Sequence, residues 1–312
     1  MIIISLDQEG KVLKNKEWDI IRYITKGRDN YIGDDCAVWE EPGLVVTTDH
    51  MCEGVHFDLS FMNPKSIGWR LMAANASDVI SMGSLPSHFL LNIAAPSKDV
   101  ETIKKIVDGI TLFSNKYNLE ILGGDTTAAE KITVGVTMFG KKTAKPLLRS
   151  GAKPGDSFYI TEPVGLSQCG LYHLKNNSAG FEQSKEKFLF PDPFKTRPAD
   201  IENANCAIDI SDSLLSELEL ISKASNVGIM IDLEKIPVHE EVLKTARILG
   251  IPAEQIIFSS GEEFSLILTS NKKMNGLYHI GFIKESGDSK IEIISKNGAV
   301  DSSSFSIFSH FS

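Results

Sequence analysis

The chain has 312 residues, 42% of them hydrophobic and 23% charged, the balance of an ordinary globular protein with apolar material for a sizeable core. Its 32 Lys and Arg against 41 Asp and Glu leave a formal charge of −9, which argues against a generally basic nucleic-acid surface and requires any anion it handles to come with cations. Cys36, Cys52, Cys169 and Cys206 form neither a CxxC pair nor a zinc-spaced cluster, and no apolar run reaches the about 18 residues of a membrane span. The four-residue apolar run at the N-terminus is too short for a signal sequence, so a soluble, cytoplasmic protein with reduced, structural thiols is expected.

In chain order, strand-like runs alternate with helical ones, which predicts an α/β fold (α+β mixed), and the length favours two domains. LVVTTDH (44 to 50) reads as a strand and SIGWRLMAANASDVISM (66 to 82) as a helix of small and apolar residues. HFLLNIAAP (88 to 96) is a second strand, and 97 to 117 an amphipathic helix with Ser97 as its cap. LEILGGDTT (119 to 127) and KITVGVTMFGK (131 to 141) follow as strands. Pro, Gly and Lys then concentrate over 141 to 160, the best place for a domain junction. The second half mixes AIDISDSLLSELELISKA, VGIMIDL and IIFSSGEEFSLILTS, and the polar, Pro-rich stretch from 174 to 205 reads as a mobile excursion.

The informative feature is the placement of aspartates. GDD (33 to 35), TTD (47 to 49), NASD (75 to 78), GGD (123 to 125) and DISD (209 to 212) each deliver a carboxylate, and in VVTTD, EILGGD and AIDISD it emerges where a strand runs out into a loop. In open α/β sheets that edge is where ligands bind. Asp78 instead sits inside an apolar helix, where Asp is a poor helix former and cannot cap. Single aspartates at turns and caps are common: Asp34 can serve a turn while Asp35 does chemistry, and Ser211 or Asp212 can cap the helix SDSLLSELELI. Together the five segments suit magnesium, which takes oxygen ligands from a few carboxylates plus substrate phosphates. Converging carboxylates repel by about 4 kcal/mol at 4 Å and an effective dielectric of about 20, so more than one divalent ion is called for.

There is no GxxxxGK[ST] loop and no kinase-type GxGxxG with its lysine. Nucleotide phosphates would have to be held by the Gly123, Gly124, Asp125 turn, by the helix start at Ser211 or by Arg149 in LLRSGAKPGD. Arg149 suits either a bidentate phosphate clamp or an interdomain salt bridge. His56, beside Phe57 in EGVHF, suits either packing or function.

The strings IGDDCAV, VVTTDHMCEGVHF, AANASDVISMGSLP, LGGDTT, LLRSGAKPGD, AIDISDSL and SGEEFSLIL run in one order from about residue 32 to 268. In that order they resemble thiamine-monophosphate kinases, of the superfamily that includes aminoimidazole ribonucleotide synthetase and selenophosphate synthetase. The resemblance implies an N-terminal sheet-and-helix domain over 1–142 that pairs in a homodimer and a C-terminal α/β domain over 143–312 that completes the substrate site. It places magnesium ligands on Asp35, Thr47, Thr48, Asp49, Asp78, Asp125, Asp209 and Asp212, and ATP contacts on Gly124, Asp125, Arg149 and Ser211. His56, Glu262 and Phe308 would face thiamine monophosphate.

Several positions depart from the family pattern: SGEEFSL stands for GGEDYEL, Ser213 for a usual Gly, LSQCGL for DSAAGL, and Val107 for an aromatic near the adenine. The implied reaction is ATP- and magnesium-dependent phosphorylation of thiamine monophosphate to thiamine diphosphate by in-line transfer. No residue is assigned as general base, because the acceptor phosphate is already largely ionised at neutral pH. Another ATP-using enzyme of the superfamily and a non-catalytic metal- and nucleotide-binding regulator are the alternatives. The N-terminal region lacks the Cys-containing, Gly-rich leader of a selenide enzyme, and EGVHF with GGDTT fits the thiamine kinase better than the purine enzyme.

Overall fold

A computed structural model of the chain describes residues 33–286 and 291–300, together with 5–6, 12–13, 23–25 and 305. Two sheets organise it, and a short ribbon of β1 (Ser5–Leu6) and β2 (Val12–Leu13) stands apart from them. The first sheet has five strands in the order β3-β4-β7-β5-β6: β3 (Ala37–Trp39), β4 (Leu44–Cys52), β5 (Pro86–Ala95), β6 (Glu120–Ala128) and β7 (Thr133–Lys141). All its pairings are antiparallel except β5 with β6.

Side chains alternate between the faces of a strand. Along β7, Val134, Val136 and Met138 point into the core while their neighbours are only half-buried. The inward face packs on α1 (Pro64–Ser81) and α2 (Val100–Tyr117) through Leu71, Ile106 and Phe113. Asn63 opens α1, accepting from the Ser66 N–H at 2.9 Å, with Pro64 in the first turn.

The second sheet has seven strands in the order β14-β13-β10-β12-β8-β11-β9. They are β8 (Ser157–Ile160), β9 (Cys206–Asp209), β10 (Gly228–Asp232), β11 (Leu266–Ser270), β12 (Tyr278–Lys284), β13 (Ile291–Ser295) and β14 (Gly298–Val300). The helices of this half are α3 (Leu166–Lys175), α4 (Glu182–Leu189), α5 (Pro198–Ile201), α6 (Leu214–Ser225), α7 (Glu240–Leu249) and α8 (Ala253–Ser259). One face of the sheet packs with α6, α7 and α8 around Ile208, Leu218, Ile229, Val242, Phe258 and Ile267.

On the opposite face, Tyr159, Ala207, Leu266 and Leu268 cluster with Ile80 of α1. Helix α1 thus lies between the two sheets, which is why it is apolar on nearly every side and why its one acidic residue, Asp78, is deeply placed.

Three expectations need correction. Helix 97–117 begins as a 3₁₀ turn over Ser97–Asp99, and no side chain caps either that turn or α2, so Ser97 is not the cap; the chain enters from extended Pro96 and winds too tightly for it. Ser211 and Asp212 do not cap α6: Ser213 does, its hydroxyl accepting from Ser216 N–H at 3.1 Å. With φ at −175°, Ser213 is plain extended backbone, so the serine in place of glycine costs nothing.

The stretch from 174 to 205 is not a loose excursion. It forms α4, a 3₁₀ turn (Pro193–Lys195) and α5, and its polar look comes from one exposed face. The Phe188 ring packs into the core of the first sheet, the Trp69 indole N–H donates to Pro191 O at 2.7 Å, and Phe194 stacks on Tyr117 with ring centres 3.9 Å apart. Glu162, just past β8, grips the same segment through Lys187 (2.6 Å) and Lys195 (2.8 Å). No helix among the described residues is long and apolar enough to cross a membrane.

Candidate active site

A cavity of about 470 Å³ opens between the end of β4, helix α1 and the loops that follow β9 and α8. Asp49, Asp78, Asp209, Asp212 and Glu262 line it with His56, Ser211 and Phe188. The charge balance is heavily acidic: among the described residues, Lys175 is the one Lys or Arg in the lining.

Each carboxylate is placed by its own local structure. Asp49 lies on the inward row of β4 between Thr47 and Met51, and its N–H donates to Asn75 Oδ1 of α1 at 3.2 Å. Asp78 accepts from the Thr47 hydroxyl at 2.5 Å, and Asp209, last residue of β9, accepts from the Ser77 hydroxyl at 2.8 Å. Asp35 is almost wholly covered; it accepts from the Ser81 hydroxyl, from Asp209 N–H (3.3 Å) and from Arg149 Nε (3.0 Å).

Burial holds the Asp78 carboxyl well above the usual carboxylate range, and Asp49, Asp209 and Asp35 push the same way. Asp209 is raised by burial and then by Asp35, and Asp49 by burial with Asp35 and Asp212 adding to it. Groups that raise one another this way form one electrostatic unit that a cation would relieve.

Among the described residues no three His, Cys, Asp or Glu side chains already stand as a ligand set for one ion. Their oxygens are occupied instead by Thr47, Ser77, Ser81 and Arg149. Hard oxygen donors with an unrelieved charge nonetheless fit magnesium, which is usually held by one or two carboxylates and completed by substrate phosphates and water.

Arg149 forms the salt bridge that the sequence allowed. Its Nη2 and Nε bind Asp35 Oδ1, while its N–H donates to Asp34 Oδ1 at 2.6 Å, which gives Asp34 its turn role. Burial works against the guanidinium charge, but Asp35, Glu217 and Asp209 outweigh it and push the pKa up. His56 lines the cavity, and its Nδ1 accepts from Cys52 N–H at 3.1 Å, which leaves the proton of the neutral ring on Nε2.

Glu262 is fixed at both ends, its N–H donating to Ser211 O at 2.6 Å and its carboxylate meeting Arg70 Nη2. Gly261 is indispensable there: a Cβ would stand 2.3 Å from Asp212 O. The missing family glycine is at Ser260, two positions before Glu262, where φ of −74° needs no glycine, whereas Glu262 itself adopts φ +54°.

Three expected residues, Thr48, Gly124 and Asp125, lie away from this cluster. Across the first sheet, Asp49, Val136, Leu91 and Gly124 form one row and His50, Gly135, Asn92 and Asp125 the next. Adjacent rows face opposite ways, so Asp125 is on the outer face while Asp49 is on the inner, about 14 Å away at about 4.8 Å per strand. Thr48 is also on the outer face, its hydroxyl donating to Val136 O and paired with Thr137, so it has only its carbonyl to offer the inner cluster. Gly124 is required by packing, since a Cβ would lie 1.7 Å from Leu91 O. Val107 packs against the first core rather than in the cavity. Phe308 lies outside the described residues.

Sequence reasoning missed Glu217 and Glu263. Glu217 accepts from Asp212 N–H at 3.1 Å and is raised by burial, Asp212 and Asp209. Glu263, fully buried, accepts from Gly165 N–H (2.7 Å), Ser167 N–H (3.1 Å) and the Ser260 hydroxyl (2.6 Å), holding the start of α3, which no side chain of its own caps. An acid in the first turn of a helix is too common to have marked Glu217.

Residues 33–141, which carry the first sheet and its two helices, match the family of AIR synthase related proteins, N-terminal domain. Over 246 residues the chain is 36% identical to the thiamine-monophosphate kinase of Leptospira interrogans (76% of this chain, 78% of that one). Over 307 residues it is 33% identical to that of Bacillus subtilis (88% and 93%). The structure of AaThiL complexed with AMPPCP and TMP matches with a TM-score of 0.85 at 28% identity, covering 96% of this chain and 99% of that one. The chain belongs to the thiamine-monophosphate kinase family.

Proposed function

We propose that the protein is a cytoplasmic kinase that transfers the γ-phosphoryl group of ATP to thiamine monophosphate, giving thiamine diphosphate and ADP. The observation that carries this is the meeting of Asp49, Asp78, Asp209 and Asp212 with His56 and Glu262 in one cavity. An oxygen of the acceptor phosphate attacks Pγ as the bond from Pγ to the β–γ bridging oxygen breaks. The work left to the protein is positioning and charge compensation.

Asp35, Asp49, Asp78, Asp209 and Asp212 would hold several magnesium ions, with the hydroxyl or carbonyl oxygen of Thr47 and the carbonyl oxygen of Thr48 as further ligands. When bound, the ions supply positive charge to the phosphate oxygens. His56 and Glu262 orient thiamine monophosphate, and Phe308 is assigned to its ring. Ser211 and Arg149 serve ATP, Arg149 exchanging Asp35 for phosphate; as a fork-shaped, permanently charged donor it suits both partners.

Gly124 and Asp125 fit the site in a different way. Every residue of β6 is exposed, including Ile121 at 57% and Leu122 at 60%. An uncovered edge strand of this kind is a template for pairing. A homodimer through the first sheets, with the chain divided near 142 and 143, would cover it and bring Asp125 to metal and ATP at a shared boundary.

The test is incubation of purified protein with ATP, magnesium and thiamine monophosphate, with chromatographic detection of thiamine diphosphate. Product that depends on all three supports the proposal. Binding of both substrates without product would instead make the protein a nucleotide-binding regulator, and turnover only with a different acceptor would make it another enzyme of the superfamily.

A further inference from the structure

Arg70 is completely buried in α1, yet it is a cation with a specific set of partners. Its Nη2 donates to Glu262 Oε2 at 2.5 Å, its Nη1 donates to Phe188 O at 2.5 Å, and its guanidinium lies 3.9 Å from the centre of the Phe188 ring. A buried guanidinium without a counter-charge is severely destabilising, so this pairing fixes Glu262 as much as it satisfies Arg70. Phe188 holds the guanidinium plane from the other side, so the fork cannot swing.

Glu262 is the partly open member of the pair, its side chain 33% exposed at the cavity wall. With Oε2 taken by Arg70, Oε1 is the oxygen left to meet a ligand. Arg70, Ala74 and Asp78 stand four residues apart on one stripe of α1, and Ala74 and Asp78 both line the cavity. At 1.5 Å per residue the helix separates Arg70 from Asp78 by about 12 Å, so one rigid element spaces the carboxylate cluster from the Glu262 carboxylate.

We infer that Arg70 is a positioning residue for the acceptor: it clamps Glu262 so that Oε1 is presented to a hydrogen-bond donor on the organic end of the phosphorylated substrate, while Asp78 of the same helix marks the phosphate end. This rests on the kinase reading above and on the place given there to Glu262. Arg70 touches no reacting atom and acts through Glu262 alone.

The test is steady-state kinetics with ATP and thiamine monophosphate varied separately in wild type, Arg70→Met, Arg70→Lys, Glu262→Gln and the Arg70→Met/Glu262→Gln double variant, with melting temperatures alongside. Arg70→Met should raise KM for thiamine monophosphate about tenfold, the scale of a lost charge-assisted hydrogen bond, and leave KM for ATP within about twofold. Arg70→Lys keeps the charge but not the fork and should raise the same KM about threefold. In the Glu262→Gln background, Arg70→Met should change KM for thiamine monophosphate by less than about twofold, because residues that act as one unit are not additive.

Equal effects on both substrates, or effects that multiply in the double variant, would overturn the inference. Should Arg70→Met fail to fold, a wild-type KM in Arg70→Lys would overturn it. No product from the wild type would remove the kinase reading and this inference together, whereas an active wild type with indifferent Arg70 variants removes this inference alone.

Discussion

Ser77 donates its hydroxyl hydrogen to Asp209 Oδ2 across 2.8 Å, joining the helix of the first sheet to a strand end of the second one residue before Asp78. Ser77 is fully buried, so Ser77→Ala leaves a carboxylate without its donor. A stability loss of about 1–3 kcal/mol is expected in urea unfolding, with turnover reduced because Asp209 is no longer held. Unchanged unfolding and unchanged rate would show that the bond carries neither role.

Asp78 and Asp209 give the ion-free protein a characteristic pH dependence. Their carboxyls are raised, first by burial, so the native state keeps protons that the unfolded chain has lost. Stability is therefore highest near and below the ordinary aspartate value of about 3.9, as far as these groups are concerned, and falls as pH rises through the raised native values. Without divalent ions, the melting temperature should drop as pH rises above the ordinary aspartate range, and Asp78→Asn should flatten that drop and melt higher than wild type at the upper end. The same variant should lose turnover. A wild-type profile that rises over this range would contradict the assignment.

Gly261→Ala should act on the substrate side. The new Cβ would meet backbone, Asp212 O at 2.3 Å and Ser211 O at 2.8 Å, neither of which can move cheaply. Overpacking of this kind costs about 1–3 kcal/mol, and displacement of Glu262, whose N–H is tied to Ser211 O, should raise KM for thiamine monophosphate, while the shifted 211–212 loop should raise KM for ATP as well. Thermal melting and initial-rate kinetics read the two effects separately.

Leu122→Arg tests the uncovered strand. Leu122 is 60% exposed on β6, so an isolated subunit should tolerate arginine there with little change in melting temperature. Sedimentation equilibrium should show a wild-type dimer and a monomeric variant, with turnover lost in the monomer. A variant that stays dimeric and active would place the interface elsewhere.

The order of strands and helices was legible in the sequence because each element carries its own pattern: the β-branched run of Leu44–Cys52 and the apolar helix Pro64–Ser81 fall within a few residues of their expected limits. Of the aspartates expected at strand ends, Asp209 does close its strand, but Asp49 and Asp125 each have three strand residues beyond them, because pairing carries β4 on to Cys52 and β6 on to Ala128. Which face each would take was not legible, since that follows from register with a neighbouring strand: Asp49 and Asp125 read alike in VVTTD and EILGGD, yet lie on opposite sides of one sheet. Long-range pairs were equally hidden. Arg70 lies 192 residues from Glu262, and Arg149 lies 114 from Asp35, so no local spacing marks either bond, although the alternative of a salt bridge at Arg149 was open from its chemistry. The segment from 174 to 205 was misread because its few ring contacts, Phe188 and Phe194, are diluted among charged residues that face outward.

Phe188 has a consequence for how the chain comes into being. The ring completes the core of the first sheet but is encoded well beyond that sheet's last strand, which ends at Lys141. While the polypeptide is still emerging from the ribosome, the first half is left with an unfilled socket beside Arg70. Its final consolidation must wait until the second half has been translated, and the nascent intermediate is the form most in need of a chaperone.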